Sequence, residues 1–321
     1  MNDIDLLLNA QIETLLDRVS ISALKETVKR LSNTYQTNNI DRSNIVNDDT
    51  FALAYIAYRM PTTYQAIKKP LRELFNIDKN ISTVLDIGSG PFTCSWALSC
   101  LVSNINITCL EKQTSMIKTG KSLLKDIDLP NQLNIIKDDI NQFETSEKFD
   151  LVMCAYSLNE LNNVEKNNLI GKLLTLSKKY ILIIEPGTPD GFKSLIELKN
   201  IFTNECHLSV VAPCMYEHSC PLLGTDYCNF TVRVSRTKCQ KYIKEGVSPF
   251  EDEKFFYLLL SKEQFSKQYP YRLIRHPQIK GNCIDVKLCS KEGVISKTIY
   301  KSSPCYKKIK KSSQGDLIDN V

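Results

Sequence analysis

Cys214, Cys220 and Cys228 lie within the seventeen residues APCMYEHSCPLLGTDYC, with the spacing C-x5-C-x7-C. Pro213, Pro221 and Gly224 interrupt regular structure there, so the chain can wrap around an ion instead of continuing a helix or strand. Thiolates in such a loop are ligands for zinc or for an iron–sulfur cluster. The spacing differs from the paired C-x2-C of zinc ribbons, so the pattern alone leaves the metal open. A fourth ligand is required, and Cys206, His218, Cys239, Cys283 and Cys289 all qualify. Unligated buried thiols are the plain alternative for the whole cluster. Cys94, Cys100, Cys109 and Cys154 stand in apolar runs and read as small core residues.

A second constellation begins at VLDIGSGPF, residues 84–92. Gly88 and Gly90 let a ligand approach the backbone where a Cβ would hold it off. Asp86 precedes the turn. Glu111 follows 25 residues after Asp86, at the end of the next apolar run, where an acid accepts from ribose hydroxyls. Asp139 ends the third run and can receive an adenine amino group, with Asp138 as the alternative. A nicotinamide site would carry G-x-G-x-x-G, whereas this turn reads GSGPFT. The set outlines an S-adenosylmethionine site. Catalysis is less defined. The fourth run ends in MCAYSLNEL, which offers Asn159 and Glu160 as polar candidates and Cys154 as a nucleophile candidate.

These residues need a scaffold. TVLDIG, NITCLE, LNIIKDD, DLVMCAY and YILIIEPG are short Ile-, Leu- and Val-rich runs, and helix-length segments such as QTSMIKTGKSLLKDI separate most of them. Alternation of this kind predicts an α/β fold with a doubly wound parallel sheet, of the class I methyltransferase (Rossmann-like) type. Before it, Ile21, Leu24, Val28 and Leu31 make one helical stripe. Asp48, Asp49 and Thr50 can cap the helix FALAYIAYRM, Pro61 is expected to stop it, and Pro70 to kink or break the next. After residue 205 strand-like runs dominate: CNFTVRVS, KFFYLLLS, YRLIRHP, CIDVKLCS and GVISKTIYKS. The expected organisation is a helical region at 1–80, a cofactor-binding domain at 81–205, a cysteine-containing, strand-rich region at 206–302, and a basic, flexible tail at 303–321.

Hydrophobic residues at 42% and charged ones at 24% describe an ordinary soluble protein, and no apolar run approaches the length of a bilayer span. The acidic start lacks both a secretory signal and an Arg-rich presequence pattern, so the expectation is a cytoplasmic protein without a disulfide framework. Charge is uneven. Residues 206–321 hold 19 Lys and Arg against 11 Asp and Glu, which points to an anionic partner such as nucleic acid. Arg233, Arg236, Lys238, Arg272, Arg275, Lys307, Lys308, Lys310 and Lys311 are the candidate phosphate contacts.

Four stretches taken together resemble one family. They are AYIAYRMPTTYQAI, then VLDIGSGPFTCSWAL, then YSLNEL with IIEPGTPDGF, and finally APCMYEHSCPL…DYCNFTVRVSR leading to PFEDEKFFYLLLS and RLIRHP…VKLCSKEG. This is the methyltransferase-like family of mitochondrial and bacterial small-ribosomal-subunit (Rsm-type) assembly proteins, and the likeness spans roughly residues 50–300. The resemblance implies S-adenosylmethionine as cofactor, small-subunit ribosomal RNA and proteins as partners, and a 4Fe–4S cluster on Cys214, Cys220, Cys228 and Cys289, with zinc as the alternative metal. Two positions depart from the family pattern: Met215-Tyr216 replaces Pro-His, and Phe92 replaces a glycine after GSGP. His218 is then the histidine left to take over any role. Phe92 is expected to crowd the methionine end of the cofactor. Methyl transfer to RNA and RNA binding without turnover are the two activities this resemblance leaves open.

Overall fold

The protein is described here from a computed structural model, which covers residues 3–17, 19–36, 48–158, 161–216, 218–244 and 248–321. Asn159 and Glu160 lie outside the described residues. In chain order the elements begin with α1 (Asp3–Leu16), α2 (Ile21–Gln36), α3 (Asp49–Tyr58) and α4 (Met60–Ile77). Next come β1 (Thr83–Ile87), α5 (Thr93–Leu101), β2 (Asn106–Glu111), α6 (Thr114–Leu123), β3 (Gln132–Lys137), β4 (Phe149–Ala155) and α7 (Asn163–Leu176). The middle of the chain forms β5 (Ser177–Pro186), α8 (Pro189–Asn204), β6 (Ser209–Ala212), β7 (Phe230–Ser235), α9 (Lys238–Lys244) and β8 (Phe250–Ser261). It ends with β9 (Tyr271–Leu273), β10 (Gln278–Lys280), β11 (Cys283–Ser290), β12 (Gly293–Tyr300), α10 (Tyr306–Lys311) and β13 (Leu317–Ile318). Among the described residues no helix is long and apolar enough to cross a membrane.

Two compact units share the chain, and their limits differ from the boundaries expected from sequence. One comprises residues 1–178 with 232–253, the other 179–231 with 254–321. The N-terminal helices therefore belong with the first strands instead of forming a region of their own. In the first unit β3, β2, β1 and β4 lie side by side in that order, all parallel. β1 thus has β2 on one flank and β4 on the other, which is the strand reversal of a doubly wound Rossmann-like sheet. Val84, Leu85, Cys109, Leu151, Val152 and Met153 are all fully buried, as strands covered on both faces require.

The prolines of the helical region behave differently from expectation. Asp48 does cap α3, accepting from the Thr50 N–H at 2.9 Å. Pro61, however, opens α4 instead of merely ending α3, because the first turn of a helix has no partner for the missing N–H. Pro70 sits inside α4 without ending it. Burial of Ile67, Leu71 and Leu74 on the same helix compensates for the one lost hydrogen bond. Under α4 the Asp5 carboxylate is buried and takes bonds from Lys68 Nζ at 2.6 Å and Tyr64 Oη at 2.7 Å, so α1 is locked to α4 by a satisfied charge pair.

In the second unit β5 and β6 flank β8, both antiparallel to it. A second sheet has the order β10-β11-β9-β13, with β12 also paired to β11. Leu273, Ile284, Val286, Leu288 and Ile299 fill its core together with Tyr306, Ile309 and Ile318. Residues 303–321 are thus built into this core through α10 and β13, where sequence polarity predicts a flexible tail. Two apolar residues on α10, Tyr306 and Ile309, are enough to anchor its otherwise lysine-covered turn.

Candidate cofactor and cysteine sites

The β1 turn carries three left-handed residues in five positions: Gly88 at φ 68°, Gly90 at φ 54° and Phe92 at φ 65°. The N–H groups of Gly88 and Ser89 both donate to the Leu110 carbonyl, which ties the turn to the end of β2. A Cβ at Gly88 would stand 2.6 Å from Ser157 Oγ, so glycine is required there by contact as well as by φ. At Gly90 a Cβ would meet nothing within 4 Å. That face of the turn is open.

Glu111 ends β2 and is held over the turn, its two oxygens accepting from the N–H groups of Gly90 and Gln113, each at 2.8 Å. Burial raises its pKa, while those two N–H bonds pull it back. Asp86 is wholly buried, and neither of its oxygens accepts an N–H or O–H bond among the described residues. Burial pushes its carboxyl up to about 7, opposed by the Cys94 thiol and reinforced by Glu111. Ser89 Oγ, Thr93 Oγ1 and Gln113 Oε1 are likewise buried without a partner. Buried polar atoms are almost always satisfied, so a group of them around one open turn leaves bonding capacity that a polar ligand there could complete. Asp139 is half-buried. One of its oxygens accepts from the backbone and side chain of Asn141, and the other faces Lys112 at 3.8 Å. Asp138 accepts from the Asp139 N–H at 2.8 Å, so both carboxylates that follow β3 are engaged locally.

Phe92 does not crowd this cleft. Its side chain is fully buried and turned onto α6, where a Cβ at Gly120 would stand 2.5 Å from the ring. The bulk gained at position 92 is matched by its absence at position 120. Nothing in the sequence spacing pairs these two residues.

Past β4 the sequence candidates separate. Cys154 is 1% exposed, in register with Ile87 inside the sheet, and is closed to any substrate. Tyr156 and Ser157 follow it at the strand end. The Arg59 guanidinium lies 5.9 Å from the Tyr156 ring centroid and makes a two-pronged pair with Glu253, at 3.0 and 3.1 Å. The neighbouring Tyr58 carbonyl accepts from Gln240 Nε2 at 3.1 Å. AYRMP, YSLNEL and EDEKF, distant in sequence, therefore meet at one half-buried arginine. Nothing in their spacing along the chain joins them.

Three of the four implied cysteine ligands flank prolines and turns in the second unit, and Cys289 comes from β11. Cys214, Cys228 and Cys289 are buried and Cys220 is partly so. Burial pushes the Cys214 thiol up to about 12; Cys289 and Cys220 add to the rise, while Lys199 and Lys267 oppose it. Burial likewise raises Cys228, with Cys214, Cys289 and Cys220 adding to it. Burial raises Cys220 as well, and Cys289 acts on it too. The four thiols thus act on one another electrostatically. Among the described residues, however, no three Cys, His, Asp or Glu side chains are gathered tightly enough to ligate a metal. Of the open fourth candidates, Cys239 lies in the other unit, on α9, where it feels Glu13 instead. The His218 ring meets Tyr216 edge-on at 5.4 Å.

IIEPGTPDGF is a structural device. A Cβ at Gly187 would stand 2.7 Å from the Phe255 nitrogen, one at Gly191 2.2 Å from the Pro186 oxygen, and Thr188 caps α8 by accepting from the Gly191 N–H.

The model of a family described as mitochondrial small ribosomal subunit Rsm22 matches residues 49–319. The chain belongs to the Rsm22 family. No curated protein matches it significantly. Among solved structures it is similar to TehB from Haemophilus influenzae, with 17% identity over 68% of this chain and 67% of that one and a TM-score of 0.43. It is similar to the N-methyltransferase NodS from Bradyrhizobium japonicum WM9 with bound S-adenosyl-L-homocysteine, with 16% identity, 72% and 100% coverage and a TM-score of 0.41. The magnesium protoporphyrin IX methyltransferase of Synechocystis PCC 6803 with bound SAM gives 11% identity, 80% and 97% coverage and a TM-score of 0.42. The fold of this Rsm22-family chain rests on its own strand order.

Proposed function

We propose that this Rsm22-family chain binds S-adenosylmethionine at the β1 turn and acts on small-subunit ribosomal RNA as a methyltransferase. The observation that carries this reading is the group of unpartnered polar atoms on Asp86, Ser89, Thr93 and Gln113 beside the open face of Gly90. When bound, the cofactor supplies an electrophilic methyl group. Glu111 is placed to receive ribose hydroxyls in exchange for a backbone bond, and Asp139 to receive an adenine amino group. Transfer to a base nitrogen or carbon then relies mainly on positioning. Equilibrium dialysis against labelled S-adenosylmethionine tests the site. Binding that disappears in Glu111→Ala supports it, and no binding by the wild-type protein refutes it.

A second reading keeps the RNA partner and drops turnover. It is favoured by the closure of Cys154, which removes the sequence's nucleophile candidate. Transfer of labelled methyl groups to small-subunit RNA separates the two.

The cysteines belong to the same proposal. Donor chemistry and burial support a tetrathiolate metal on Cys214, Cys220, Cys228 and Cys289, which would have to draw together, since among the described residues no three such side chains are gathered closely enough. A 4Fe–4S cluster is the reading the family resemblance supports, and zinc is the alternative that metal analysis would reveal. Such a group supplies folding energy to the segments that hold it.

A further inference from the structure

Residues 232–253 count with the first unit, although the chain on either side of them belongs to the second. They comprise most of β7, all of α9 and the start of β8, which pairs with β7. α9 is held firmly on one side. Its first turn is closed reciprocally, the Thr237 N–H donating to Gln240 Oε1 at 3.0 Å and the Gln240 N–H to Thr237 Oγ1 at 3.1 Å. Gln240 is fully buried, its Nε2 bonded to the Tyr58 carbonyl, and Ile243 is buried one turn on. Through this side α9 packs on α2 and α3.

The outward side has a different chemistry. Lys238, Lys241 and Tyr242 are exposed, Tyr242 at 66%, and their spacing of three and four residues sets them on one face. Phe250, at the start of β8, is 46% exposed. The neighbouring carboxylates are drawn into pairs: Asp252 with Arg233, Glu251 with Arg236 and Glu253 with Arg59. Glu245 lies outside the described residues. A rigid helix thus offers two ammonium groups and an aromatic ring to solvent.

Its place matters as much. Tyr58, which α9 holds, adjoins Arg59, whose guanidinium stands over the Tyr156 ring at the end of β4. In a doubly wound sheet the ligand lies outside the carboxyl ends of the strands. α9 therefore borders the side from which a methyl acceptor approaches.

We propose that α9 is a docking rim for a single-stranded segment of the acceptor RNA, with Lys238 and Lys241 on its phosphates and Tyr242 stacked on an unpaired base. This rests on the RNA reading given above and names the surface that delivers the strand. Cations that follow the backbone beside an aromatic ring are the means by which proteins hold single strands without reading their sequence. Stacking on a side chain requires a splayed base, which a loop or bulge supplies and a continuous duplex does not.

The test measures retention of transcribed small-subunit ribosomal RNA by the full-length chain on filters over a series of potassium chloride concentrations. Tyr242→Ala is expected to weaken binding by about 5-fold or more at every concentration with the salt slope unchanged, because stacking is not a phosphate contact. Tyr242→Phe keeps the ring and should stay within about 2-fold of wild type. Lys238→Gln combined with Lys241→Gln should lower the slope of log affinity against log salt by about 1–2. All these side chains are exposed, so S-adenosylmethionine binding in equilibrium dialysis should match wild type in every variant. Wild-type RNA affinity in Tyr242→Ala, an equal loss in Tyr242→Phe, or an unaltered slope in the lysine variant overturns the proposal and leaves the RNA reading standing. If the wild-type chain retains no small-subunit RNA, the RNA reading itself fails, and this rim with it.

Discussion

At the scale of the residue, Asp86 and Phe92 show how much depends on what a side chain is buried against. With its carboxyl raised to about 7 in the folded protein, against 3.8 as the reference value, Asp86 binds its proton more tightly folded than unfolded. Its contribution is therefore complete below about pH 4 and is lost as pH rises from there through about 7. In the ligand-free protein, Asp86→Asn should gain stability relative to wild type between pH 4 and pH 7, at up to about 1.4 kcal/mol per pH unit, visible as a Tm difference that grows over that range and levels off above it. A difference that stays flat across that range would show Asp86 to be ionised already. For Phe92 the decisive partner is Gly120. Gly120→Ala should destabilise by about 1–3 kcal/mol in urea unfolding, since the added methyl meets the ring. In a Phe92→Gly background the same change should be neutral or favourable, because the space is vacated and alanine suits a helix better by about 1 kcal/mol. Additive effects in the double variant would disprove the pairing.

At the scale of the element, the turn after β1 and the junction between α3 and α4 each hold a site by contacts that span the sequence. Gly88→Arg should abolish S-adenosylmethionine binding in calorimetry. It puts a side chain at φ 68° against Ser157 and across the cleft, and retained affinity would place the cofactor elsewhere. Arg59→Met should cost roughly 3–5 kcal/mol, because Glu253 is left buried with its charge unmatched. Arg59→Lys should recover only part of that, having no fork to match the carboxylate. The junction was expected to be a proline stop. It is the anchor of three distant segments.

At the scale of the whole molecule, the basic excess divides once partners are known. Arg272 is buried and donates to the Gly315 carbonyl at 2.9 Å, so it does not contact phosphate. Arg233 is paired with Asp252, Arg236 with Glu251, Arg275 with Asp226 and Lys308 with Asp319. Lys307, Lys310 and Lys311 remain exposed on α10 without a carboxylate partner among the described residues. Replacing these three by Gln should weaken binding to small-subunit RNA and reduce the slope of log affinity against log salt by about 2–3, with the fold unchanged. An unaltered slope would move the RNA surface off α10.

What sequence by itself determined was whatever is local. The period of the apolar runs set the strands and most of the helices, the strand–helix alternation set the fold class, and the G-x-G turn and following acids marked the β1 cleft, because each depends on neighbours a few residues away. The family could be read from ordered segments for the same reason. Only the tertiary structure decided which distant side chains share a space. It joined Arg59 to Glu253, turned Phe92 onto Gly120, closed Cys154 into the sheet, withdrew Arg272 from the surface and tied α9 to the Tyr58 carbonyl. Burial and charge compensation are properties of packing between remote segments, and no spacing along one chain encodes them before it folds.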